Sequence, residues 1–348
     1  MKHNFNTKFL AFAFLFGILF LSSFQSIASS DVDAKEEENF DVTGLITHHI
    51  LDSYGWHILD YKDGAGVEHP VSIPLPIILY TDNGLVIFMS SAFHHGEASV
   101  AANGLTFSLE HGHIKEANGG TFLDFSITKN VASMMLSMVI LILIFSAVAS
   151  GYKKRKGQAP KGLQSLIEPL IVYIRDDVVI PNIGEKHHAK YLPYILTLFF
   201  FIWINNLLGL MPTGANLSGN IAFTMTLAVL TLIITNVSGN KNYWSHIFWT
   251  PGVPLPLRVI MLPVEIISIF TKPFALMIRL FANITAGHIV ILSLVSFIFM
   301  FKSVALGFVV GPVVIAMTFL ELFVAILQAY IFALLSALFI GLAIEEHH

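Results

Sequence analysis

Arg279, His288 and Glu321 lie within long apolar stretches of the chain. An ionisable side chain placed in hydrocarbon costs roughly 2.5 to 3.5 kcal/mol on insertion scales, so such residues mark an ion path or a paired site. Arginine keeps its proton inside proteins, which makes Arg279 a permanent positive charge and not a relay. Imidazole and carboxyl groups titrate near working pH when burial or pairing suits them, so His288 and Glu321 are the candidate relay. Asn283 and Gln328 add amides, which equally serve as ordinary hydrogen-bonding links between spanning helices. Arg258, Glu265, Lys272 and Arg279 recur every seven residues, a spacing that drifts only about 20 degrees per step on a straight helix and draws a polar stripe away from Arg279. The simpler alternative for Arg258, Lys272 and Lys302 is a side chain snorkelling to headgroups. For Arg279, His288 and Glu321 it is a structural ion-pair cluster.

Five apolar blocks must position these groups: residues 131–149, 191–211, 220–237, 258–301 and 312–344. The last is too long for an upright span, since 33 residues rise about 50 Å as helix against a hydrocarbon core of about 30 Å. Steep tilt or a kink is expected, and Pro263 and Pro273 supply bending points in the fourth block. With blocks four and five antiparallel, His288 stands about 13.5 Å outward of Arg279, and Glu321 about 10.5 Å outward of Gln328. Setting Arg279 level with Gln328 therefore brings His288 and Glu321 to similar depth. Nine helical steps turn by about 180 degrees, so His288 belongs on the face opposite Arg279.

Composition agrees with lipid as the main solvent. Of the 348 residues, 55% are hydrophobic and 12% charged, about half the charge of an ordinary soluble protein. Between residues 191 and 344 only Lys241, Arg258, Glu265, Lys272, Arg279, Lys302 and Glu321 carry formal charge, whereas residues 31–130 hold 15 acids against 4 bases. An acidic head thus precedes a membrane body. Absence of cysteine excludes thiolate catalysis and cysteine metal sites, and a net charge of −4 leaves no nucleic-acid footprint.

Lys2, Lys8, the apolar run Phe9 to Leu21 and Ser26-Ile27-Ala28 predict a signal peptide over residues 1–28, with an uncleaved anchor as the alternative. Residues 29–130 then form an extracytoplasmic region and 131–348 the membrane domain. Lys153, Lys154, Arg155, Lys156, Lys161, Arg175, Lys186 and Lys190 all fall between the first two spans, which puts that loop and the C-terminus in the cytoplasm. Leu163, Leu166, Ile167, Leu170, Ile171, Ile174 and Val178, opposite Gln164, Glu168 and Arg175, predict an amphipathic helix in the same loop. In the head, Val71 to Tyr80 and Leu85 to Ser90 flank Thr81-Asp82-Asn83-Gly84 and predict a β-hairpin. The fold class expected is an all-α polytopic membrane protein of about five spans with a small β-containing head.

The run Ser268-Ile269-Phe270-Thr271-Lys272-Pro273-Phe274-Ala275-Leu276-Met277-Ile278-Arg279-Leu280-Phe281-Ala282-Asn283-Ile284-Thr285-Ala286-Gly287-His288 resembles the signature helix of subunit a of the F-type ATP synthase. Leu327-Gln328-Ala329-Tyr330-Ile331-Phe332 and the tail Glu345-Glu346-His347 are similar to that family's last helix. The basic loop, Trp203 to Pro212, and Gly44-Leu45-Ile46-Thr47-His48-His49 extend the resemblance, which covers roughly residues 41–58 and 124–348.

This resemblance implies a non-catalytic stator subunit in the bacterial inner membrane. Its last two helices would pack on a rotating ring of c subunits, with b subunits of the peripheral stalk and the rest of the synthase as further partners, and with no cofactor or metal. Arg279 would face the passing ring carboxylates, His288, Asn283, Glu321 and Gln328 would line the outer half-channel and the arginine's surroundings, and Glu265 the inner route. Some members carry the acid at the position of His288 and the histidine at that of Glu321; here the two are exchanged. Residues 59–123, with His57, His69, His94, His95, His111 and His113 in or beside them, form an insertion that compact members lack. Two other classes remain as alternatives: a secondary transporter, for which repeated halves with broken helices are expected, and a membrane-anchored metal-binding sensor centred on the head.

Overall fold

The structure is a computed structural model describing residues 51–62, 68–96, 98–110, 112–155, 157–211, 214–249, 254–301 and 304–345. The expected signal peptide, Gly44 to His49, Lys302, Glu346 and His347 lie outside the described residues, as do the side chains of His69, His95 and His111. The chain divides into two compact units, residues 1–133 with 211–215, and residues 134–210 with 216–348.

Among the described residues eight short strands build the head: β1 (Gly55–Lys62), β2 (Glu68–Pro74), β3 (Pro76–Thr81), β4 (Gly84–Met89), β5 (Val100–Ala102), β6 (Leu105–Glu110), β7 (His113–Glu116) and β8 (Leu123–Asp124). They form three antiparallel sheets, ordered β1-β2, β4-β3-β8 and β5-β6-β7. The expected hairpin exists as β3 paired with β4, closed by Thr81 opposite Gly84. Its first strand is shorter than the sequence suggested. Residues 71–80 break at Leu75 between Pro74 and Pro76, and the earlier half pairs with β1 instead. A proline lacks the N–H a continuous ladder needs, which accounts for the break. The core gathers the inward residues Ile77, Leu79, Val86, Phe93, Phe107 and Ile114.

Among the described residues five helices are long and apolar enough to cross a membrane. They are α1 (Lys129–Lys154), α4 (His188–Gly209), α5 (Ile221–Ser238), α7 (Leu255–Met300) and α8 (Val304–Ile344), with α2 (Leu163–Tyr173), α3 (Ile180–Ile183) and α6 (Lys241–Phe248) between them. The chain is therefore an all-α polytopic membrane protein with a β-containing head. At 46 and 41 residues, α7 and α8 run unbroken through Pro263, Pro273 and Pro312. Their lengths of about 69 and 62 Å exceed the hydrocarbon thickness twofold.

The expected amphipathic stretch is helical, but its polar side is not wholly exposed. Gln164 is buried, its Nε2 donating to Glu168 at 3.1 Å. A side chain at Gly151 would collide with its amide, so the missing Cβ there lets α1 close over it. The helix continues from Ile174 to Val179 as a wider π-helical turn whose buried residues are Ile174, Val178 and Val179.

α8 packs against α4, α7, α3 and α5. Its small residues Ala325, Ala329, Ala333, Ala337 and Ala343 are all fully buried, as expected where helix backbones approach closely in a membrane. Gly341 continues this surface, because any Cβ there would overlap the backbone carbonyl of Asn182 on α3.

Candidate ion-path residues

The two long helices meet where Gly287 faces Glu321. A Cβ built on Gly287 would lie 3.1 Å from Glu321 Oε1, so the acid packs against bare backbone one residue before His288. Pairing 287 with 321 on antiparallel helices sets Arg279 at the level of 329, beside Gln328. Glu321 and Gln328 are buried, at 4% and 5% exposure; His288 is half-buried. Glu321 Oε2 is enclosed without a hydrogen-bond partner among the described residues. In hydrocarbon an acid in that position is stable only where water, a proton or a partner reaches it.

Two residues that sequence spacing did not single out hold this part of α8. Asn206 Nδ2 donates to the carbonyl of Ala325 at 3.0 Å, and Ser218 Oγ donates to Asn206 Oδ1 at 2.5 Å. Ala325 lies one helical turn from Glu321, so α4 and the short turn Leu217–Gly219 anchor the acid's own helix. Polar residues buried in an apolar block were the available signal, shared with many ordinary interhelical links.

Arg279 and Asn283 lie elsewhere on α7. Both are exposed, in a strip shared with Ile267, Phe270, Phe274 and Ile278 at 63%, 62%, 59% and 38% exposure. Leu276, Met277, Leu280 and Ile284 form the covered side. Among the described residues Arg279 has neither hydrogen bond nor ion pair. A neighbouring exposed strip on α8 carries Ile315, Phe319, Leu320 and Phe323.

The seven-residue stripe separates into different surroundings. Arg258 lies over the Trp249 ring, 4.4 Å from its centroid, and Lys272 over Phe339 at 5.7 Å. Glu265 and Lys272 line a cavity of about 230 Å³ with Asn242, Tyr243, His246 and Glu345. His246 and Tyr243, from α6, also escaped the sequence reading, because no spacing linked that loop to the stripe. The Tyr243 phenol is pushed up from its ordinary value by burial and by the negative charge of Glu265. Among the described residues no three His, Asp or Glu side chains are grouped as a metal site.

The class defined by these features is a polytopic helical membrane protein, with five spans among the described residues, a cation on an uncovered helix face and a buried acid between its last two helices. The family model described as ATP synthase A chain matches residues 131–341, and the chain belongs to that family. Residues 45–133 match a second family, described as a domain of unknown function (DUF8433), so the insertion lies within a recurrent module. Similar proteins include ATP synthase subunit a 2 of Chlorobaculum tepidum, 51% identical over 63% of this chain and 64% of its own length. Another is ATP synthase subunit a of Chloroherpeton thalassium, 46% identical over 68% of this chain and 72% of its own. A more distant one is ATP synthase subunit a of an Anaeromyxobacter species, 41% identical over 68% of this chain and 60% of its own. The chain thus spans about two thirds of the length of the curated relatives it matches.

Proposed function

We propose that this chain is the stationary proton-translocating subunit of a rotary F-type ATP synthase, non-catalytic in itself. The observation that carries the reading is Arg279: a permanent cation exposed on an otherwise apolar strip of a spanning helix. Hydrocarbon would not hold that charge without a polar partner, and a ring of c subunits, each with a carboxylate, supplies one. A carboxyl group reaching Arg279 is favoured in its ionised form by the opposite charge, so it gives up its proton before passing. The same cation keeps two water-filled half-channels apart.

Glu321, His288, Asn283 and Gln328 would serve the outer half-channel and Glu265 the inner one. The contrast in exposure supports this, since Arg279 stands on the exposed strip of α7 while Glu321 is enclosed where it packs on Gly287. Each charge moved through the membrane potential contributes about 2.3 kcal/mol per 100 mV, which biases rotation. The protein would sit in the inner membrane with its head outside and C-terminus in the cytoplasm, alongside b subunits and the rest of the synthase.

Arg279→Ala tests the reading. Inverted vesicles carrying the variant should retain assembled complex but lose ATP-driven proton pumping. Pumping at the wild-type rate would refute it.

A further inference from the structure

A cavity lies 15 or more residues along α7 from Gly287 and Glu321, and the chain's own polar ends close it. Asn240 caps α6 by accepting from the Tyr243 amide at 2.9 Å. Its Nδ2 donates to the Glu345 carbonyl at 2.8 Å, and its backbone amide donates to Ala343 O at 3.0 Å. The Tyr243 hydroxyl donates to Asn236 Oδ1 at 3.0 Å. These four bonds fasten α6 to the ends of α5 and α8, so His246 is held at the cavity wall.

The lining groups that titrate or carry charge are Tyr243 and His246 from α6, Glu265 and Lys272 from α7, and Glu345 after α8. His246, Lys272 and Glu345 are exposed, while Glu265 is half-buried. A second cavity of about 20 Å³ shares Tyr243, Ile269, Lys272 and Leu342 with the first. It has room for about one water and is lined by Thr235, whose buried hydroxyl has no partner among the described residues. Polar groups therefore line the larger cavity from His246 past Glu265 to Lys272, and the smaller one adjoining it is mainly apolar with a few polar groups, Thr235 among them.

We propose that His246 is the proton-relaying group at the inner mouth, passing protons between the adjoining aqueous phase and Glu265. The proposal rests on the reading of the chain as a proton path. In the uptake direction an imidazole nitrogen binds a proton from solvent and releases it, directly or through cavity water, to the Glu265 carboxylate; release reverses the two transfers. No other bond changes. Capture benefits because imidazole titrates near neutral pH, where free protons are scarce and a nearby buffering group raises the local supply. Glu345 attracts cations to the mouth, and Lys272 lies at the inward end of the cavity.

The test is ATP-driven proton uptake by inverted vesicles in weakly buffered medium over about pH 6.5 to 8.5, a range that runs from the ordinary imidazole value up to where free protons are scarce. His246→Ala and His246→Gln should slow uptake several-fold at the alkaline end and little at the acid end. Added imidazole should restore the rate, as a mobile substitute for the lost side chain. Wild-type rates across the range for both variants would overturn the proposal, and so would a defect that imidazole does not repair, which would mark a structural role. Arg279→Ala in the same vesicles separates the two ideas. If that variant pumps, the proton-path reading itself fails; if it is silent while the His246 variants are normal, only the relay fails.

Discussion

Gly287 offers a direct measure of how closely Glu321 must be held. Adding a methyl group there would bring carbon to 3.1 Å from Glu321 Oε1, about 0.3 Å inside an ordinary contact. The backbone of α7 is continuous at this point, so the carboxyl group has to yield by turning its side chain away from its preferred rotamer. A displacement of that kind costs of order 0.5 to 1.5 kcal/mol. If Glu321 transfers protons in that position, Gly287→Ala slows ATP-driven pumping by about 2- to 13-fold, at tenfold per 1.36 kcal/mol. Glu321→Asp withdraws the carboxyl group by about one methylene and slows pumping for the opposite reason, too long a gap. In Gly287→Ala/Glu321→Asp the methyl group has space, so the double variant is less impaired than the product of the two single effects. The assay is fluorescence quenching in inverted vesicles matched for complex content, analysed as a double-mutant cycle. Wild-type pumping by Gly287→Ala, or two effects that simply multiply, would refute a tightly held Glu321.

Other tests address the supports. Gly341→Ala would drive a Cβ into the Asn182 carbonyl, whose carbon would lie only 2.8 Å away, and backbone cannot turn aside as a side chain can. A loss of about 1 to 3 kcal/mol is expected, read as a lowered melting midpoint of the detergent-solubilised complex; Gly307→Ala, with nothing within 4 Å of its Cβ, is the control. An unchanged midpoint for Gly341→Ala would contradict the close approach. In the head, Tyr54 donates to Asp124 at 2.5 Å, and burial followed by that acid pushes its phenol well up. Because the folded state favours the protonated form, this contribution is full below about pH 10 and fades as pH climbs through the raised value. The tyrosinate absorbance lost in Tyr54→Phe should therefore titrate later than an ordinary tyrosine; loss at the ordinary value would refute the contact.

Much of the membrane body was readable because lipid imposes one rule. Backbone polar groups must bond internally, so every long apolar block had to be a helix, and the observed spans Lys129–Lys154, His188–Gly209 and Ile221–Ser238 enclose or nearly match the predicted blocks. The depth relation between His288 and Glu321 was also accessible, since helical rise depends on residue number alone. Strand pairing in the head was less so. Asn103 and Gly104 both take positive φ, 50° and 78°, and turn β5 into β6; Asn-Gly was the signal, but of the head's three such pairs, at residues 83, 103 and 118, only the first was read as a hairpin turn. His246 had no signal whatever, because the hydrogen bonds from Asn240 to Ala343 and Glu345 join residues about a hundred positions apart.

Residue type and number by themselves determined which groups are charged, that Arg279 cannot lose its proton, how far each residue rises along its helix and which helix faces are opposite. Those are local properties of side-chain chemistry and of a 3.6-residue turn. Tertiary structure decided which face is covered: Glu321 enclosed against Gly287, Arg279 left on the open strip, and His246 brought beside Glu265. Burial depends on what the neighbouring helices place opposite each position, and that choice is made by packing between residues distant in the chain.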